Sequence, residues 1–283
     1  MGLMSGKACL VTGATSGIGR ETAVQLAALG AAVTIVARDE ARGAAAAAEV
    51  RGRVPGAQVD AVAADLSRPA QVRRLAGEVQ ARLGRLDVLV NNAGVISLRR
   101  QLTPDGLEVT FATNHLGPFL LTSLLRGLLE ASAPARVVTV ASGVHRQVRA
   151  IPWEDLARGG QSGQGQAYAV SKLLNVLFTA ELARRLAGTG VTANCLHPGF
   201  VRTALGREVT GIPGAAVRLA LRLRPGPAAG ARTSVYLASA PEVADQSGGY
   251  FVKSRPARPS ALAMDTQAAA RLWALSTELA SGR

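Results

Sequence analysis

A short apolar run that breaks into closely spaced glycines and then into a helical pattern leaves a chain few ways to fold. Residues 7–12 (KACLVT) read as a buried strand, Gly13-Ala14-Thr15-Ser16-Gly17-Ile18-Gly19 follows at once, and residues 21–29 read as an amphipathic helix. Glycines permit the tight bend and a close backbone approach, and the helix N-terminus offers unpaired N–H groups and a positive dipole end. Strand, loop and helix together make a phosphate-binding turn. The spacing is G-x3-G-x-G and not the general G-x-G-x-x-G fingerprint, so the placement between strand and helix carries the reading.

Strand and helix patterns then alternate along the chain. Further strands are predicted at residues 32–37, 58–63, 86–90, 136–141, 191–196 and 249–252. Helices are predicted at 69–83, at 107–129, from about 165 onward, at 228–238 and at 265–280. With 283 residues, 48% of them hydrophobic, and no linker, repeat or low-complexity block, the chain is expected to form one large domain over 1–283. Residues 200–226, apolar with spaced arginines and flanked by glycine and proline, are expected to cover a substrate; a surface helix touching a membrane or partner is the alternative.

Candidate functional residues fall at strand ends. Ala37 and Arg38 stand where an acidic residue would hold the adenosine ribose hydroxyls of NAD. An arginine there pairs instead with the extra phosphate of NADP, so NADP(H) is favoured; Asp39, turned inward, would favour NAD(H), but that position more often caps the next helix. Asp65 with Leu66 follows the third strand, and Asn91-Asn92-Ala93-Gly94 follows the fourth, where a cofactor cleft needs small and polar groups; an ordinary turn is the bland alternative. Asn114, inside the apolar helix FATNHLGPFLLT, is costly to bury unpaired and is expected in a polar network. Ser142 ends the strand RVVTVA, and His197-Pro198-Gly199 ends VTANCL.

Tyr168 and Lys172 lie four residues apart, one helical turn on one face. An ammonium beside a phenol favours the phenolate, so the tyrosine pKa is expected to fall toward the working range of an acid or base.

Other chemistries find little support. Cys9 and Cys195 sit in apolar runs, and His115, His145 and His197 share no ligand spacing with them, so no metal is expected. The net charge of +13 rests on 29 arginines and three lysines, but these are scattered through helices, so specific nucleic-acid binding is not expected. No apolar run of about 18 residues is present, so no transmembrane segment is expected, and strand patterns from residue 7 leave no room for a secretory signal.

With these parts in order, the sequence resembles the short-chain dehydrogenase/reductase family. TGATSGIG, NNAG, Asn114, Ser142 and YAVSK all appear in the family's sequence. FATNHLGPFLLT, the wide gap between Ser142 and Tyr168, NVLFTAELARRL, LHPGFVRT, TSVYLASAPEV and RLWALSTELA resemble its retinol-dehydrogenase-like branch. The resemblance implies an α/β fold, a doubly wound Rossmann-type parallel sheet of about seven strands with helices on both faces. It implies Tyr168 as general acid/base, Lys172 on the nicotinamide ribose, Ser142 orienting the substrate oxygen and Asn114 anchoring a water relay. Gly13, Ser16, Gly17, Ile18 and Gly19 match phosphate-loop positions; Arg38, Asp65, Leu66, Asn92, Ala93 and Gly94 match adenosine and ribose positions; Pro198, Gly199 and Thr203 match those seating the nicotinamide. Implied too are a carbonyl or alcohol substrate and a homo-oligomer, dimer or tetramer. Membrane-bound retinol dehydrogenases carry an apolar N-terminal anchor; this sequence shows none, so a cytoplasmic protein is expected. Many Leu, Val and Ala residues in 200–226 favour a small apolar substrate. The rival reading is a cofactor-binding regulator that has lost turnover.

Overall fold

The computed structural model describes residues 2–97, 99–158, 164–199, 201 and 225–282. Eight strands form one sheet in the order β3-β2-β1-β4-β5-β6-β7-β8. They are β1 (Ala8–Thr12), β2 (Ala32–Ala37), β3 (Val59–Ala63), β4 (Val88–Asn91), β5 (Ala135–Val140), β6 (Val191–His197), β7 (Tyr250–Val252) and β8 (Arg255–Pro256). All neighbours are parallel except β7 and β8. From β1 the chain winds outward to β2 and β3, then returns to β4 on β1's other side. Such a switch of direction opens a crevice above the carboxyl ends of β1 and β4.

The central strands β1, β2, β4 and β5 are largely apolar because both faces are covered. On β1, Leu10 points into one core layer while Cys9 and Val11 point into the other, the two-residue alternation of a pleated strand. The first layer is closed by α3 (Pro69–Arg82), α5 (Gly117–Ala131), α6 (Gln164–Arg185) and α8 (Thr266–Ser281). The second is closed by α1 (Gly17–Ala28), α2 (Glu40–Arg53) and α7 (Pro227–Ser239). In the alanine-rich α2, Gly43, Ala46, Ala47 and Val50 are buried at helical spacing. A Cβ on Gly43 would lie 3.1 Å from that of Ala61, so small residues let this helix press close to the sheet.

Two findings depart from the sequence reading. The helix expected over 107–129 is not uniform: α4 (Val109–Phe111) runs into a π-helical turn at Ala112–Leu116 before α5 begins. Pro118 has no N–H for the usual bond to residue 114, and the π turn inserts the extra residue there, with the Gly117 N–H bonded to Ala112 O. Gly117 then passes against Leu66 O, where a side chain would collide. The sheet also gains an antiparallel eighth strand. Lys253 and Ser254 turn it with φ of 52° and 58°, a left-handed pair made without glycine or asparagine, which is why no hairpin signal is visible there. The cover expected at 200–226 lies, but for Val201 and residues 225–226, outside the described residues.

Helix α8 is locked onto α5 and α6. Trp273 meets Phe119 at 5.0 Å and stacks on Phe178 at 6.1 Å, with the Arg185 guanidinium over its ring. Beside them the Ser276 hydroxyl meets His115 Nε2 at 2.8 Å. Burial pushes the pKa of His115 down to about 3, so this histidine is a neutral core group.

Candidate active site

The glycine loop and the end of β4 are stitched into one surface. Gly13 has φ of +64°, and a side chain there would collide with the Ala93 backbone. The Thr12 hydroxyl accepts the N–H groups of Asn92 and Ala93, each at 3.0 Å, and donates to Val90 O. Asn92 Nδ2 donates in turn to the carbonyls of Thr12 (2.8 Å) and Gly13 (3.2 Å). Gly19, inside α1, approaches both Gly13 O and Asn92, leaving no space for a Cβ. NNAG is therefore the wall of the loop and not an incidental turn.

Ser16 occupies the N-cap of α1 in an extended conformation, and its side chain makes no cap bond. The first N–H groups of that helix thus lack the usual side-chain acceptor, and Gly17, with φ of +58°, has nothing within 4 Å of where a Cβ would be. An uncapped helix start behind a glycine shelf fits a dinucleotide's phosphates. Ile18 is buried behind the loop.

At the end of β2, Arg38 is exposed. Asp39 caps α2, accepting the Arg42 N–H at 2.8 Å, which accords with its expected capping role. Asp65 turns one carboxylate oxygen onto the N–H and hydroxyl of Ser67 (2.9 and 2.8 Å), and Leu66 is buried.

Four elements bring the proton-transfer candidates together. Ser142 lies two residues past the end of β5 and caps the 3-10 turn Gly143–Gln147. Tyr168 and Lys172 lie on α6. Asn114 lies in the π turn, fully buried; its Oδ1 accepts the Val95 N–H (2.7 Å), and its Nδ2 donates to Val95 O (2.9 Å) and the Ser171 hydroxyl (3.0 Å). Ser171 continues to the Tyr168 carbonyl at 2.8 Å. A Cβ on Gly94 would sit 3.4 Å from both Asn114 Oδ1 and Lys172 Nζ, so Gly94 is the gap that joins this group to the glycine loop.

The electrostatics correct one expectation. The Tyr168 pKa is raised, because burial penalises the phenolate; the hydrogen bond with Ser142 pulls it back only in part. Lys172 lies 5.6 Å from the centre of the tyrosine ring and donates to Val140 O at 2.9 Å. Its own pKa is pushed down to about 8 by burial. Desolvation of both groups outweighs the expected attraction of ammonium for phenolate. The phenol is held protonated, the form a proton donor needs.

Pro198 and Gly199 follow β6, and Gly199 has φ of +87°. Thr203 lies outside the described residues. Thr12 and Ser171 tie the site together but escape sequence reading, since a threonine ending a strand and a serine inside a helix are ordinary. Gly230 also escapes: in α7 it lets Val201 and Ile18 meet the helix, and its only signal is a glycine inside a helix.

A glycine-loop crevice at the strand switch point, with serine, tyrosine and lysine converging beside it, defines a nicotinamide-dependent oxidoreductase of the Rossmann class. Residues 7–211 match the short chain dehydrogenase family, and the chain belongs to it. Human retinol dehydrogenase 14 is 42% identical over 97% of this chain and 86% of its own length. Human retinol dehydrogenase 12 is 42% identical over 98% of this chain and 87% of its own. Among solved structures, an uncharacterized protein from Mycobacterium paratuberculosis superposes with a TM-score of 0.78 at 35% identity, covering 98% of this chain and 94% of that one. The Pseudomonas aeruginosa RhlG/NADP complex superposes with a TM-score of 0.72 at 28% identity, covering 94% and 97%.

Proposed function

We propose that this oxidoreductase is NADP(H)-dependent and interconverts a small, apolar carbonyl compound and its alcohol. The observation that carries the reading is a half-buried, protonated phenol hydrogen-bonded to Ser142, one helical turn from Lys172 and joined through Gly94 to the phosphate cradle.

When bound, the nicotinamide cofactor supplies or accepts the hydride. In reduction, Tyr168 Oη gives its proton to the carbonyl oxygen as that oxygen gains charge, and in oxidation it takes the proton back. Ser142 hydrogen-bonds the same oxygen and orients it toward the phenol. Lys172 holds the nicotinamide ribose, and Asn114 fixes the Gly94–Val95 backbone and, through Ser171, the turn of α6 that carries Tyr168. The N–H groups at Ser16, Gly17, Ile18 and Gly19 would hold the pyrophosphate, Asp65, Leu66, Asn92 and Ala93 would line the adenosine side, and Pro198 and Gly199 would seat the nicotinamide.

Arg38 supports NADP(H) over NAD(H): it is exposed at the end of β2, while Asp39 is engaged in capping α2. Two solved relatives, from Pseudomonas aeruginosa and Shigella flexneri, are NADP complexes. A charge-assisted phosphate contact is worth about 1.5–3 kcal/mol, a preference of roughly tenfold to a hundredfold. Absorbance assays with a panel of aldehydes, ketones and alcohols test the activity. Comparing kcat/KM with NADPH and NADH tests the cofactor, and Arg38→Ser should bring the two within about threefold. A parent that prefers NADH would assign the ribose to Asp39.

One catalytic unit over 1–283 is supported by a single sheet whose strands run from residue 8 to residue 256. No helix among the described residues is long and apolar enough to cross a membrane. A homo-oligomer built on α5 and α6 would have to use the surface that α8 leaves on those helices.

A further inference from the structure

We infer that His145 is a positioning residue for Ser142, holding the catalytic turn to the loop that follows β8. This rests on the proposed function, in which Ser142 orients the substrate oxygen. His145 is fully buried in the turn that Ser142 caps. Its Nδ1 lies 2.7 Å from the Ser142 carbonyl, and its Nε2 accepts the backbone N–H of Ser260 at 3.1 Å. The adjacent Arg146 guanidinium donates to Arg258 O, so two consecutive residues of the turn grip the same loop at 258 and 260.

This pairing sets the tautomer. Ser260 N–H can only donate, so Nε2 must be the acceptor and the ring proton sits on Nδ1, where it donates to Ser142 O. Protonating Nε2 would oppose two N–H groups. Burial disfavours the imidazolium first, and the charge of Arg146 adds to this; the Ser142 carbonyl acts the other way without prevailing. The other neighbours are the Tyr250 ring, edge-on at 5.1 Å, and His197, whose own imidazolium is disfavoured by burial first and by the Arg146 charge as well. His197 in turn packs against Gly143, where a Cβ would lie 3.2 Å from its Nε2. The neutral ring is thus a rigid strut between residues 142 and 260. It places the serine hydroxyl against Tyr168 and makes the C-terminal loop a working part of the site.

Three variants and one spectroscopic measurement test this. His145→Phe keeps the ring and removes both bonds. His145→Asn places an amide N–H near the Nδ1 position, and His145→Gln reaches only toward Nε2. With NADPH and a carbonyl that the parent reduces, His145→Phe should lower kcat about tenfold or more while the KM for NADPH stays within about twofold. His145→Asn should recover kcat to within about threefold of the parent, and His145→Gln should not. Melting temperatures of all three separate positioning from folding. A kcat that follows melting temperature, or equal rates for Phe and Asn, would overturn the inference. Independently of turnover, ring nitrogen shifts of the parent at about pH 8 should show an Nδ1–H tautomer. An Nε2–H tautomer would overturn it too. A parent that reduces no carbonyl would defeat the proposed function while leaving the tautomer to decide whether the strut exists.

Discussion

Two charges are buried at opposite ends of the sheet, and they are treated in opposite ways. Asp87, just before β4 at the sheet's amino end, is 2% exposed and accepts bonds from the Arg85 guanidinium, Lys7 Nζ and the Ala8 N–H. Burial alone would raise its pKa, yet those donors together hold it below the usual carboxylate range. Lys172, 3% exposed at the carboxyl end, donates to the Val140 carbonyl, which Asn175 Nδ2 also reaches at 3.4 Å, and no carboxylate pairs with it among the described residues. Its pKa falls to about 8. The fold fully compensates the charge that only has to hold strands together. It leaves the other undercompensated where a ligand's hydroxyls would complete the shell.

The sharpest way to break this contrast is to remove function without touching stability. Tyr168→Phe keeps the ring and deletes the proton donor. Turnover should fall at least ~100-fold, with cofactor binding by fluorescence titration and the melting temperature near those of the parent. Unchanged turnover would move the acid elsewhere and defeat the proposed role of Tyr168.

Lys172→Met should lose turnover yet gain stability. A folded-state pKa of about 8 against 10.5 means that the folded chain bears the cost of a buried ammonium below about pH 8. As pH rises from about 8 to 10.5 the folded state has released its proton and the unfolded state has not, so stability climbs there and the cost is gone above 10.5. The shift corresponds to about 3 kcal/mol, an upper bound on the gain that methionine should bring at neutral pH. Urea titrations of both proteins at neutral and alkaline pH check it: the gap should close as pH rises. A less stable Met variant at neutral pH would show that Val140 O compensates the ammonium after all.

These two ends also mark what the sequence made legible. Strand runs, the glycine loop and NNAG announce themselves because periodicity and glycine placement are local properties. The convergence of Ser142, Tyr168 and Lys172 was legible only because their motifs occur together in a known order. What stayed hidden depends on neighbours distant in the chain. The sign of the Tyr168 shift turns on burial, which four-residue spacing does not report. The roles of Thr12, Ser171 and His145 depend on which backbone groups lie opposite them. The β7–β8 hairpin turns on Lys253 and Ser254, residues with no turn signature. The π turn at Asn114 appears only once Pro118 and the contact of Gly117 with Leu66 are considered together.

The smallest effect is expected at the amino end, because its partners are half exposed. Lys7 and Arg85 are 34% and 49% exposed, so removing the carboxylate lets both return to water instead of stranding two buried cations. Asp87→Asn should therefore cost about 1–2 kcal/mol, below the 3–5 typical of a fully buried pair. The sign with pH is opposite to that of Lys172. A depressed carboxylate pKa contributes stability above the unfolded Asp value and loses it as pH falls through the lower folded value. Parent and Asp87→Asn should differ at neutral pH and converge in acid, with kcat unchanged, as urea midpoints at several pH values and a turnover assay would show. A variant that lost turnover at full stability would place Asp87 in the functional machinery and end the division between the two ends of the sheet.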